Sequence, residues 1–150
     1  MRAVVQRVSD ASVTVSNEQI AFIEYGLLVY LGVERDDGEK EVAYMAKKIS
    51  NMRLFADIEG KINLSIKDVE GKILAVSQFT LCADLDKGNR PSFNPAAEPK
   101  KAQLLYQMFV EHVQKEKIEV ETGLFGASMK VSYTNEGPVT IIVDKKFETK

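Results

Sequence analysis

The sequence predicts an α+β fold, a mixed or barrel-like β-sheet with two main helices, in one domain over residues 1–150. Three observations carry that expectation. Runs rich in Val and Ile occur in a block before residue 34, once near residue 75, and again after residue 117. Two other windows, Val42–Met52 and Leu104–Val113, repeat their apolar residues at helical spacing instead. The order is therefore strands, helix, strand, helix, strands, without the regular alternation of a parallel α/β protein. A chain of 150 residues, 45% hydrophobic and 28% charged, is long enough and apolar enough to bury one core.

Arg2–Val8, Ala11–Val15, Gln19–Ile23 and Leu27–Val33 read as strands separated by Ser-Asp, Ser-Asn and Tyr-Gly turn signals. Leu27-Leu28-Val29-Tyr30-Leu31 is apolar without alternation, the mark of a strand buried on both faces. Asp36-Asp37-Gly38 breaks the pattern, and Glu39–Met52 reads as a helix with Val42, Met45, Ala46, Ile49 and Met52 on one face. Arg53–Asp68 is mixed, with a turn at Glu59-Gly60. Glu70-Gly71 precedes a strand over Lys72–Phe79. Asp84–Pro99 holds Pro91, Pro95 and Pro99 and reads as an ordered loop. Glu98-Pro99 suits the start of a helix, which runs over Lys100–Lys117 with Leu105, Phe109, His112 and Val113 on one face and Leu104 and Met108 beside them. Ile118–Thr122, Ser128–Tyr133 and Val139–Val143 are the closing strands, and the polar Asp144–Lys150 is expected to fray.

Composition removes several function classes. A net charge of −2 is not that of a polybasic nucleic-acid binder, so any RNA contact has to come from a local patch. The single cysteine, Cys82, excludes an internal disulfide framework and a multi-Cys zinc site. The single histidine, His112, excludes a multi-His metal site within one chain. It sits in the second helix, where surface or packing roles are commonest, and nothing nearby suggests a Ser-His-Asp triad. No metal or cofactor is expected. No apolar run is long enough to span a bilayer (about 20 residues), and no signal-peptide pattern opens the chain, so the expectation is a cytoplasmic protein without a membrane partner.

Two short segments hold the chemistry. Ser77-Gln78-Phe79-Thr80 puts two hydroxyls, an amide and an aromatic ring together at a strand end. A hydroxyl needs a general base to become a good nucleophile, and none stands nearby in sequence. Three readings fit: hydroxyls satisfying strand-end backbone groups with Phe79 in the core, a nucleophilic Thr80, or a binding role through backbone N–H groups and the Gln78 amide. Asn135-Glu136-Gly137-Pro138-Val139-Thr140 places Gly-Pro among strand formers. It fits a trans turn opening the last strand. It also fits a cis bond, which costs only about 0.5–1 kcal/mol at X-Pro and would aim two neighbouring carbonyls the same way.

Taken as a pair, these segments resemble the two signature motifs of the D-aminoacyl-tRNA deacylases. The resemblance extends to Met1–Val8, Ala11–Val15, Gly26–Val29 with Leu31-Gly32-Val33, Arg90-Pro91-Ser92-Phe93 and Thr122-Gly123-Leu124-Phe125, covering residues 1 to about 143. It implies a homodimer that hydrolyses the ester between a D-amino acid, or glycine, and the tRNA 3′ end. Ser77, Gln78, Phe79 and Thr80 would form the catalytic pocket, with Phe79 and Gln78 positioning the terminal adenosine and the ester. Gly137 and Pro138, inserted from the partner subunit with a cis bond, would meet the substrate's α-amino group and reject L-side chains by exclusion. Phe125 and Met129 match the pocket wall and fit the core equally well. Arg7, Lys87, Arg90, Lys100 and Lys101 are candidates for phosphate contacts or for ordinary solvated charge. Water is the expected nucleophile. A non-catalytic nucleic-acid-binding module of the same fold is the alternative.

Overall fold

The computed structural model describes residues 1–147. Eight strands and two helices follow in the order β1 (Arg2–Val15), β2 (Glu18–Ile23), β3 (Gly26–Gly32), α1 (Glu39–Asn51), β4 (Arg53–Ala56), β5 (Ile62–Ser65), β6 (Lys72–Ser77), α2 (Pro99–Lys115), β7 (Val120–Thr122) and β8 (Lys130–Asp144), with a 3-10 turn over Phe79–Cys82. The main sheet runs β2-β1-β3-β6-β7, and β8 pairs with β1. β1 is antiparallel to β2, β3 and β8, whereas β3–β6 and β6–β7 are parallel. Met129, just before β8, returns against Gly123 and Val76, which curls the sheet almost into a barrel. The α+β expectation holds. Among the described residues no helix is long and apolar enough to cross a membrane.

Strand alternation builds two cores. Ala3, Val5, Leu27, Val29, Leu31, Ile73 and Ala75 face the helices and pack on Val42, Met45 and Ile49 of α1 and Leu105, Phe109 and Val113 of α2. Val8, Ala11, Val13, Leu28, Leu74 and Val76 fill the barrel interior with Ala21 and Ile23. β3 and β6 thus lie between two apolar layers, which explains the unbroken apolar run in Leu27–Leu31. Ordinary alternation puts Val5 and Val8 on opposite faces of β1, but Val8 and Ala11 share one face, and the pairing with β8 is irregular between Val8 and Asp10. A register shift moves side chains to the opposite face, so a single long strand serves both cores.

Several boundaries differ from the sequence expectation. Arg2–Val8 and Ala11–Val15 are one strand, as are the two closing segments that form β8. The mixed stretch 53–68 contains the β4–β5 hairpin. Strand β6 stops at Ser77, and Phe79 already belongs to the 3-10 turn. Leu104 of α2 is exposed instead of packed. The expected fraying does not begin at Asp144. Its carboxylate accepts from Arg2 Nε at 3.0 Å, Lys145 N–H donates to Met1 O at 3.0 Å, and Phe147 N–H donates to Glu41 Oε1 at 3.2 Å. Glu148–Lys150 lie outside the described residues.

Candidate active site

β6 ends beside the last turn of β3, with Ser77 paired to Leu31. The Gln78 N–H donates to Leu31 O at 2.8 Å, which fixes where the chain leaves the sheet. Gly32 makes the following 3-10 turn possible: a Cβ there would lie 3.0 Å from Leu81 Cβ and 3.1 Å from Gln78 O. The turn closes through Leu81 N–H to Gln78 O and Ala83 N–H to Thr80 O, both 3.2 Å. The N–H groups of Phe79 and Thr80 open the turn and donate to no acceptor among the described residues. The Gln78 amide donates to Thr80 Oγ1, tying the two side chains together.

This turn borders a cavity of about 550 Å³. Val76, Met129 and Val131 reach it from the barrel interior, Phe125 and Ala102 wall it, and Phe79 and Phe93 stand at its edge. Their rings meet edge to face with centroids 5.0 Å apart, and Phe79 is 53% exposed. Ser77 and Gln78 bring the polar side chains, and no lining side chain is ionisable. Five of the expected residues, Ser77, Gln78, Phe79, Phe125 and Met129, therefore share one cavity, and Phe125 and Met129 are wall rather than fully buried core. Thr80 does not line it.

Tyr106 went unremarked in the sequence. It is buried on α2, donates its hydroxyl to Ala75 O at 2.8 Å and sits 6.2 Å from the Phe125 ring, which it backs. Burial raises its hydroxyl pKa well above the usual value, so it stays a donor. The available signal was its place between Ala102 and Phe109 on the apolar face of that helix. Cys82 packs under the turn with Sγ 3.6 Å from Val33 O. Burial, and next the Glu34 carboxylate, push its thiol pKa up, which makes it a poor nucleophile. His112 does not line the cavity.

The second motif is an interruption of β8. Thr140 pairs with Gln6 and Asn135 with Val8, so residues 136–139 bow outward opposite Arg7 alone. The Gly137-Pro138 bond is cis, and Gly137 has φ +123, a region that L side chains rarely adopt. Arg7 supports the bulge from beneath, donating Nε to Glu136 O at 3.1 Å and Nη1 to Leu54 O at 2.7 Å. Those bonds give Arg7 a bracing role on protein carbonyls. Asn135 Oδ1 accepts from Val139 N–H at 3.0 Å, and Thr140 Oγ1 accepts from Asn135 Nδ2 at 3.0 Å and from Gln6 Nε2 at 3.1 Å. Glu136, Gly137 and Pro138 are exposed and do not line their own chain's cavity. The start of β8 reaches the cavity through Val131, whereas the bulge further along the strand does not. Of the other basic candidates, Lys87, Arg90 and Lys100 are exposed, Lys100 next to the cavity-lining Pro99, and Lys101 Nζ donates to Arg35 O at 2.6 Å.

Fold and site together define an almost closed barrel with two helices on one side and an uncharged cleft at the end of a parallel strand. The chain belongs to the D-Tyr-tRNA(Tyr) deacylase family, whose sequence profile matches residues 4–144. It is 54% identical over 145 residues to the D-aminoacyl-tRNA deacylase of Magnetococcus marinus, covering 96% of each chain. It is 51% identical over 146 residues to that of Desulfotalea psychrophila, covering 97% of this chain and 98% of the other. A solved structure described as a c-Myc DNA unwinding element binding protein superposes with a TM-score of 0.92 at 43% identity, covering 98% of this chain and 100% of that one.

Proposed function

We infer that the chain is a hydrolase of D-aminoacyl-tRNA, releasing the free amino acid and tRNA, and that it removes glycine from tRNA as well while sparing L-aminoacyl esters. Family membership supports the reaction class. The cavity carries the mechanism: its polar atoms are a strand-end hydroxyl, an amide and nearby unpartnered backbone N–H groups, with no ionisable side chain. That set suits an ester which is already reactive.

Phe79 and Gln78 position the terminal adenosine and the scissile ester. Water attacks the ester carbonyl carbon, and the resulting oxyanion accepts hydrogen bonds from the turn N–H groups. The bond from that carbon to the 3′ oxygen then breaks, and the 3′ oxygen takes up a proton originating from the water. The vicinal ribose hydroxyl orients the water. Thr80 has no base at hand, and its hydroxyl already accepts the Gln78 amide, which disfavours a nucleophilic role. This route uses no cofactor.

Stereoselection falls to Gly137 and Pro138 of a second copy. In their own chain they are exposed, braced and away from the cavity. β8 has no fully buried residue, and its Ile142 is 75% exposed, which suits a strand covered by a symmetric partner. A D-side chain would point into open space, an L-side chain would strike the Gly-Pro main chain, and glycine would pass. On this reading the whole chain acts as one domain of a homodimer, in the cytoplasm where aminoacyl-tRNA is used.

The test is hydrolysis of matched D- and L-tyrosyl-tRNA with glycyl-tRNA alongside. Loss of the D-ester and the glycyl ester with the L-ester spared is expected. Equal D and L rates would sink the filter and point to a general esterase. The name of the similar DNA unwinding element binding protein favours a second reading, a nucleic-acid-binding module without catalysis. Binding of tRNA with no hydrolysis of any ester would establish that one instead.

A further inference from the structure

Away from the cavity and the bulge, lysines and aromatic rings gather on one exposed face of α1. Tyr44, Lys47, Lys48, Asn51 and Met52 surround a depression of about 550 Å³. The chain after β8 adds to this face. Phe147 stands edge-on to Tyr44, with centroids 6.0 Å apart at 84°. Lys145 Nζ lies 4.5 Å from the Phe147 ring centroid and 5.3 Å from that of Tyr44, and Lys48 Nζ lies 5.7 Å from Tyr44.

Rings hold two of these ammonium groups, those of Lys48 and Lys145. Among the described residues Lys47, Lys48 and Lys145, like several other lysines, have no carboxylate within 4.0 Å. An ammonium resting on a ring keeps N–H donors free to point outward. The backbone on either side of the patch is fixed: Lys145 exchanges hydrogen bonds with Met1 through both its N–H and its carbonyl, and Phe147 N–H is held by Glu41. On a chain of net charge −2, three ammonium groups unpaired among the described residues, two of them resting on rings, form a local positive surface.

We propose that this face contacts the phosphate backbone of the same tRNA whose 3′ end enters the cavity, a proposal that rests on the deacylase reading. The two sites are joined by surface. Ala96 lines the cavity, while its neighbours Asn94 and Pro95 line the next depression together with Phe147. That depression also holds carboxylates, but most are engaged: Glu34 and Asp37 by the Met1 ammonium, Glu34 further by Arg2 and Lys146, and Glu41 by backbone N–H groups. Asp36 is left as the exposed negative charge. RNA leaving the cavity past Asn94 and Pro95 therefore meets Phe147 and then the lysines.

The experiment compares the intact chain with a variant combining Lys47→Gln, Lys48→Gln and Lys145→Gln. Thermal melts first establish that both are folded. Deacylated tRNA binding is measured from about 50 to 200 mM salt, and hydrolysis is measured on D-tyrosyl-tRNA and on a D-tyrosyl ester of the trinucleotide CCA. Removing one lysine–phosphate pair should reduce the log–log salt slope by about 0.7–0.9, so the triple variant should bind with a slope shallower by about 2. Its kcat/KM should fall roughly tenfold or more on full tRNA at low salt, with the trinucleotide ester hydrolysed at the original rate. An unchanged tRNA slope and affinity overturns the proposal and leaves the face to an acidic protein surface. Failure of the intact chain to hydrolyse either ester would remove the deacylase reading, while the binding arm still decides whether this face holds RNA.

Discussion

Gly32→Ala tests whether the 3-10 turn is catalytic machinery, because it disturbs the turn without touching the cavity. The new Cβ would stand 3.0 Å from Leu81 Cβ, 3.1 Å from Gln78 O and 3.2 Å from Cys82 Sγ. Ordinary carbon contacts optimise at about 3.5–4.0 Å, so three neighbours are each crowded by roughly half an ångström. β3 cannot retreat, since ladders to β1 and β6 hold it on both sides. The turn has to yield, and with it the N–H groups of Phe79 and Thr80. Overpacking of this kind costs about 1–3 kcal/mol of stability. A 1 Å misplacement of reacting groups costs about 100-fold in rate, so half that displacement should lower kcat/KM on D-tyrosyl-tRNA roughly tenfold. The D/L ratio should not move, because the substitution leaves the bulge at 136–139 and its braces intact. Urea unfolding and single-turnover deacylation measure the two effects separately. Gly123→Ala is a control: its Cβ would meet Met129 Sδ at 2.7 Å, the flexible end of a side chain that can swing aside. Gly26→Ala would put Cβ 1.8 Å from the Lys72 carbonyl oxygen, in the β3–β6 backbone contact, and should not fold. A folded, destabilised Gly32→Ala protein with a wild-type rate would refute the catalytic role of the turn.

The remaining predictions concern single side chains. Thr80→Ala should keep kcat within about tenfold of the original, the scale on which general-base partners lose far more; abolition of single-turnover hydrolysis would restore the nucleophile reading. Asn135→Ala removes the bond to Val139 N–H and one bond to Thr140. It should leave D-tyrosyl-tRNA hydrolysis within a few-fold and raise the L-tyrosyl rate, and an unmoved D/L ratio would count against the bulge as the filter. Tyr106→Phe loses a buried hydrogen bond of about 1 kcal/mol in urea unfolding, at the low end because Ala75 O still accepts from Gly123 N–H at 3.1 Å. For Glu41, burial works to raise the carboxyl pKa, but hydrogen bonds from the N–H groups of Gly38, Glu41 and Phe147 outweigh it and hold the group below its usual 4.5. A depressed carboxyl stabilises the fold above its unfolded-state pKa, and that stability is lost as pH falls through the folded value. The stability gap between the wild type and Glu41→Gln should therefore be full at neutral pH and should close as pH falls below the usual 4.5 through the lowered folded-state value.

Local signals were legible wherever one element determined them. The apolar stripe of Val42, Met45, Ala46 and Ile49 defined α1, Pro99 marked the start of α2, and the unbroken Leu27–Leu31 run marked a strand between two apolar layers. Signals that depend on a pairing partner were not. Nothing in Arg2–Val15 shows that one strand changes faces near Val8, because the irregularity lies in its register with β8. Asn135–Thr140 reads as a turn between strands for the same reason: the three-residue excess appears only once Gln6 and Val8 are aligned opposite Thr140 and Asn135. Ala102 and Tyr106 entered the site through packing of α2 against the end of β6, which no motif encodes, and the Arg90-Pro91-Ser92-Phe93 segment gave no sign that its ring would meet Phe79. The tail at 145–147 looked too polar to order, yet its backbone pairs with Met1 and Glu41.

The energetics of the bulge bear on how rate and selectivity are divided between the two motifs. Ordering four backbone residues costs about 4–8 kcal/mol in conformational entropy. The braces from Arg7, Asn135 and Gln6 return only about 1 kcal/mol each, since every one replaces a bond to water. A direct ladder between β1 and β8 would hold this edge more cheaply. Stability of the single chain thus gives no account of an exposed, tightly braced main-chain projection. Presentation to another molecule does, because a surface that selects by exclusion must not give way when the wrong substrate presses on it. On the proposed mechanism the turn at 78–82 carries the opposite requirement: its N–H groups are left unpaired so that they meet charge that exists only during reaction. Disturbing the turn should then slow every substrate alike, and loosening the bulge should admit substrates that are otherwise refused.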